Sequence, residues 1–120
     1  MKVTRTFSFS AAHHLTDYHG ACERPHGHTY RLSVTVEGKI QKNGLVMDFV
    51  DLKKVVNEKV VSKLDHTDLN DFFKNPSAEN IVIWIWGQLK NIGKEASAHV
   101  TLTQVQLWEG DNTSVTYEGR

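Results

Sequence analysis

The sequence predicts an α+β fold in which two helices cover one face of a four-stranded antiparallel sheet, in the order ββααββ. Three observations carry this. Two N-terminal stretches alternate apolar and polar residues, two central stretches repeat apolar residues at helical spacing, and two more alternating stretches close the sequence. Strand pairs flanking consecutive helices are the pattern of a layered α+β domain.

The first strand runs from Val3 to His13, with Val3, Phe7, Phe9 and Ala11 on one face and Thr4, Thr6, Ser8 and Ser10 on the other. A loop, HLTDYHGACERP, follows, punctuated by Gly20 and Pro25. The second strand, His26 to Gly38, puts Tyr30, Leu32, Val34 and Val36 on one side and pairs antiparallel with the first. GKIQKNG reads as a turn region. In DFVDLKKVVNEKVVSKL, Phe49, Leu52, Val56, Val60 and Leu64 form one helical stripe, with Asp48 or Asp51 as the cap. DHTDLNDFFKNP reads as a long loop. The second helix starts at Asn75 or Ser77, carries the stripe Ile81, Ile85, Leu89 and Ile92, and ends at Gly93. AHVTLTQVQLWEG and SVTYEG are the closing strands, joined by a GDNT turn.

A length of 120 residues predicts one domain over 1–120, large enough for its own core. Hydrophobic residues make up 39%, and 14 basic residues balance 14 acidic ones. This argues against disorder and against binding to nucleic acid or a membrane through net charge. A single cysteine leaves no internal disulfide and points to a reducing cytosol. No stretch reaches the ~20 apolar residues of a membrane helix, and MKVTRTFSFSAAHH lacks the apolar centre of a signal peptide. A soluble, cytoplasmic protein is expected. Its sheet has two open edges, which favours oligomerisation.

Parity locates the chemistry. His26 and His28 lie two apart, on the side of Tyr30, while His13 shares the face of Phe7, Phe9 and Ala11. Pairing the strands brings three imidazoles to one end of the core. Three histidines with a vacant fourth position are a ligand set of catalytic zinc. Cys22, just ahead of His-Gly-His, is either a thiol activated by a nearby dication or a fourth ligand that closes the site. Asp65-His66 is a candidate general acid with its carboxylate. Glu109, before a turn, either caps that turn, faces water or accepts two N–H donors from a flat heterocycle. His14, His19 and His99 carry no site role in this reading.

With these residues assembled, the sequence resembles the family of 6-pyruvoyl-tetrahydropterin synthase and bacterial 6-carboxy-tetrahydropterin synthase. The carrying segments are FSFSAAHHL, CERPHGHTY, GLVMDFVDLK, LDHTDLN, NPSAENIVIWIW and LWEG, in that order. The resemblance implies the tunnelling fold, with sheets of several subunits closed into a barrel, a homohexamer built as a dimer of trimers, and active sites at subunit junctions. It implies His13, His26 and His28 as zinc ligands, Cys22 as catalytic base, Asp65 and His66 as the proton-relay pair and Glu109 as the pterin anchor. The implied substrate is 7,8-dihydroneopterin triphosphate. Three residues between Cys22 and His26 are similar to the carboxy branch of 7-deazaguanine (queuosine) biosynthesis, which releases acetaldehyde and triphosphate. Glu23, directly after Cys22, is similar to members that cleave dihydroneopterin derivatives to 6-hydroxymethyl-dihydropterin. Gly110 departs from the threonine many relatives carry after the anchoring Glu.

Overall fold

The computed structural model describes residues 1–15 and 26–119, with the backbone alone for His26. Its elements are β1 (Lys2–His13), β2 (His26–Gly38), α1 (Phe49–Val56), α2 (Ser62–Leu64), β3 (Thr67–Asp68), α3 (Ala78–Leu89), α4 (Ile92–Glu95), β4 (Val100–Glu109) and β5 (Ser114–Tyr117). The sheet order is β3-β1-β2-β4-β5.

β1 and β2 pair antiparallel along their full length, from Lys2↔Glu37 to His13↔His26. Alternation therefore works as expected. Phe7, Phe9 and Ala11 stand beside Leu32, Tyr30 and His28, and all but His28 are buried. The Phe9 and Tyr30 rings stack at 5.0 Å. The outward face carries hydroxyls that satisfy one another, with Thr4 bonded to Thr35 at 2.7 Å and Thr6 to Ser33 at 3.2 Å.

β4 joins β2 with one irregularity. Thr35 faces Gln104 but Val36 faces Leu102, so Thr103 is an extra residue, and its hydroxyl donates to Thr35 O at 3.3 Å. This bulge lets Leu102 and Val105 both point into the core, although three positions apart. From Val105 onward the inward parity is Val105, Leu107, Glu109.

Asp48 caps α1, its Oδ1 accepting from Val50 N at 2.8 Å, so Asp51 lies in the first turn. A π-helical turn, Asn57–Val61, links α1 to α2 and keeps Val56, Val60 and Leu64 all buried. Ser77 caps α3 by accepting from Asn80 N at 3.1 Å. Ile81, Ile85 and Leu89 of α3 and Ile92 of α4 meet the inward residues of the sheet in one hydrophobic cluster.

Two expectations need correction. The sheet is five-stranded and mixed, because part of the supposed long loop docks parallel to β1 as Ala11↔Thr67 and Ala12↔Asp68. A two-residue strand has too little length to show a period. Gly93 does not end α3 but lies inside α4, where an added Cβ would collide with the carbonyl of Val100. Close approach, not chain reversal, requires that glycine. Among the described residues no helix is long and apolar enough to cross a membrane.

Candidate active site

Cross-strand pairing dictates where the histidines meet. His13 closes β1 and is 1% exposed, and its neighbours on the same face are Ala11 and, across the ladder, His28 and Tyr30. The His13 and His28 rings meet edge-on at 4.8 Å. Glu109 joins them from β4, where it pairs with Tyr30. Its Oε1 is 3.4 Å from His28 Nε2 and 3.9 Å from His13 Nε2. One ligand atom from each of the three lies within 4.8 Å of the others.

His13 is set in one tautomer. Its Nδ1 lies 2.8 Å from Pro76 O, a carbonyl that only accepts, so Nδ1 carries the proton. Its Nε2 faces Glu109 and His28. Tyr30 Oη is 3.2 Å from the same Nδ1 and serves as a second acceptor. Burial, with the Glu109 charge adding to it, pushes the Tyr30 phenol well above its ordinary range and keeps it neutral. A histidine whose far nitrogen is held by a backbone carbonyl is the usual arrangement of a metal ligand. Two imidazoles and a carboxylate are also donors that divalent zinc accepts. The residues present fit such an ion.

Asp65 and His66 occupy the sheet edge. His66 adopts a left-handed backbone (φ 59°), and its N–H donates to Ser10 O at 2.6 Å. Asp65 Oδ1 accepts from Ser10 N at 2.9 Å. The other oxygen, Oδ2, lies 3.5 Å from His66 Nε2, so the adjacent side chains do face each other. The His66 side chain is 84% exposed and borders a groove of about 510 Å³ that runs past Ser10, Ala12 and Thr29 to His28. His28 is thus common to the groove and to the His13–Glu109 group. On its other side Glu109 borders a recess of about 260 Å³ lined by Ala78, Glu79, Thr113, Ser114 and Val115.

Of the expected site residues, the structure gathers His13, His28 and Glu109, and sets Asp65 and His66 at the sheet edge, beside a groove that His28 also lines. Glu109 was not expected beside the imidazoles. The phase set by the bulge in β4 brings it there, and no spacing in the sequence marks that bulge. Cys22 and Glu23 lie outside the described residues, as does the His26 side chain. Pro76 O and Tyr30 were not singled out, although Tyr30 shares the parity of His28 and was findable on that ground.

Residues 2–120 match the family described as 6-pyruvoyl tetrahydropterin synthase. The chain belongs to that family. It is 46% identical over 111 residues to the dihydroneopterin monophosphate aldolase of Pyrococcus furiosus, covering 92% of this protein and 91% of the relative. It is 29% identical over 143 residues to the 6-carboxy-5,6,7,8-tetrahydropterin synthase of Haemophilus influenzae, covering 98% of both. The structure of Caenorhabditis elegans 6-pyruvoyl tetrahydropterin synthase superposes with a TM-score of 0.87 at 30% identity, covering 100% of this protein and 96% of that one. The α+β fold is the family's, and the protein is an enzyme of this pterin-converting family.

Proposed function

We propose that the protein converts 7,8-dihydroneopterin triphosphate and water to 6-carboxy-5,6,7,8-tetrahydropterin, acetaldehyde and triphosphate, as a zinc enzyme of 7-deazaguanine biosynthesis. The observation that carries this reading is the pair of imidazoles, His13 and His28, beside a carboxylate at the buried end of the sheet. His13, His28 and, by sequence position, His26 hold the ion. Bound there, zinc supplies a Lewis acid for the side-chain hydroxyls of the substrate.

The remaining work falls to the protein's own groups. Glu109 accepts N–H donors of the pterin ring, which lies in the recess bordered by Thr113 and Ser114. Cys22, as thiolate, takes a proton from the substituent next to the ring. His66 moves a proton at its Nε2, which faces Asp65 Oδ2. Ring reduction balances oxidation of that substituent, so no external nicotinamide is needed. The active unit is a cytoplasmic homohexamer with one domain per subunit. The long outer edge of β1, which β3 covers only at Ala11 and Ala12, supports sheet-to-sheet assembly.

A second reading has its own support. Glu23 beside Cys22, together with the Pyrococcus furiosus relative, favours cleavage of a carbon–carbon bond in the pterin's substituent to give 6-hydroxymethyl-dihydropterin. One experiment separates the two. Zinc-loaded protein, Cys22→Ala and Glu23→Ala are each incubated with dihydroneopterin triphosphate and monophosphate, and products are identified by mass. Carboxypterin with acetaldehyde, lost in Cys22→Ala and kept in Glu23→Ala, supports the first reading. Hydroxymethylpterin alone, lost in Glu23→Ala, refutes it in favour of the second.

A further inference from the structure

β3 has only two residues, yet the segment around it grips β1 over a longer span. In β1 the even-numbered residues turn their backbone polar groups toward this edge. Ser10 is satisfied at one end, its N–H by Asp65 Oδ1 at 2.9 Å and its carbonyl by His66 N at 2.6 Å. Thr67 and Asp68 pair in the middle with Ala11 and Ala12. At the other end the strand partner has already turned away into a 3₁₀ turn, Leu69–Asp71. A side chain takes over there. Asn70 Oδ1 accepts from His14 N at 2.8 Å and Asn70 Nδ2 donates to His14 O at 3.0 Å. The second Nδ2 hydrogen faces His14 Nε2 at 3.3 Å. One amide therefore copies the donor and acceptor of a missing β residue, and its orientation is fixed, because the reverse would set two donors against each other.

His14 directly follows His13, whose ring is the buried member of the metal group. Without a partner for His14, β1 would be held beyond Ala12 only from the β2 side. We propose that Asn70 is a positioning residue: its amide clamps His14, so that β1 stays in register through His13 and His13 Nε2 stays aimed at His28 and Glu109. This rests on the metal reading given above and deepens it, by naming the group that pre-sets the site from the opposite edge.

The test uses cobalt(II) as probe, read by its visible ligand-field absorption and by competition with a chromophoric chelator. Wild type, Asn70→Ala, Asn70→Asp and a stability control, Ile92→Val in α4, are compared as apo-proteins of verified fold by circular dichroism. Asn70→Ala is expected to weaken cobalt binding about tenfold, the lower end for groups that orient ligands, with a changed absorption band. Asn70→Asp keeps the acceptor for His14 N–H but loses the donor, and should fall between. Ile92→Val should melt earlier yet bind cobalt as wild type does. Wild-type affinity and spectrum in Asn70→Ala overturn the clamp, as does an equal loss in Ile92→Val. If Asn70→Ala does not fold, Asn70→Asp decides by the same criteria. A wild-type protein that takes up no cobalt overturns the metal reading itself, and the clamp with it.

Discussion

Asp65 uses its two oxygens differently, and two substitutions separate the uses. Oδ1 accepts from Ser10 N, while Oδ2 faces His66. Asp65→Ala leaves the Ser10 N–H without its acceptor. A hydrogen bond to a charged group contributes about 1.5–3 kcal/mol, and the 36% exposure of this side chain lets water replace part of it, so the lower value, about 1.5 kcal/mol, applies. For a protein of this length the unfolding entropy near Tm is about 0.25 kcal/mol/K, so Tm falls by about 6 °C. Asp65→Asn keeps a carbonyl oxygen for Ser10 and should lose about 0.5 kcal/mol, or about 2 °C. Both variants remove the charge facing His66 and should lower turnover about 100-fold, the low end for an acid–base group. Differential scanning fluorimetry at fixed protein and zinc concentration, with a product assay, reads both effects. Equal melting temperatures for the two variants refute the anchoring role of Oδ1. Full turnover in Asp65→Asn refutes the use of its charge.

Three further variants test the site and the core. Tyr30→Phe should leave metal binding intact, because Pro76 O alone fixes the His13 tautomer, which isothermal titration with zinc checks. The same variant tests linkage. The phenol is raised in the native state, so the unfolded protein loses its proton first, above pH ~10, and native stability falls from there upward. Tyr30→Phe should show a shallower fall of Tm between about pH 9.5 and 11.5, and an unchanged slope would contradict the assignment. Glu109→Ala should keep its zinc but raise KM about 100-fold if the carboxylate holds the pterin, whereas loss of zinc in a metal assay would make it a ligand instead. Gly93→Ala should cost about 2–3 kcal/mol, or about 10 °C in Tm, since the colliding atom is the Val100 carbonyl and not a movable side chain.

What the sequence made legible follows from periodicity. The two long strands announce themselves over twelve and thirteen residues, and their parity alone brings His13 beside His28. The helices were equally readable from Leu52, Val56 and Ile81, Ile85. Features built from one or two residues were not. The pairing of Thr67 and Asp68 with β1 leaves no pattern. The π-turn at Asn57–Val61 hides inside a stripe that still reads as helical. Asn70 looks like any polar loop residue until its amide is seen against the His14 backbone. Non-local hydrogen bonds between a side chain and a distant main chain have no signature in spacing, and here they hold the edge of the site.

The extra residue at Thr103 has one more consequence. Because side chains alternate along a regular strand, Leu102 and Val105 can both face inward only while one residue between them is extruded, and removing Thr103 would set Leu102, Gln104 and Val105 opposite Val36, Thr35 and Val34 in an unbroken ladder. Val105, Leu107 and Glu109 would keep their inward face after that deletion, whereas loss of Gln106, past the bulge, would turn the carboxylate of Glu109 to the hydroxyl-lined surface, away from both imidazoles. Length is therefore less constrained at the bulge than beyond it: a one-codon deletion at Thr103 straightens the strand and spares the site, whereas one between Val105 and Glu109 takes the carboxylate out of it.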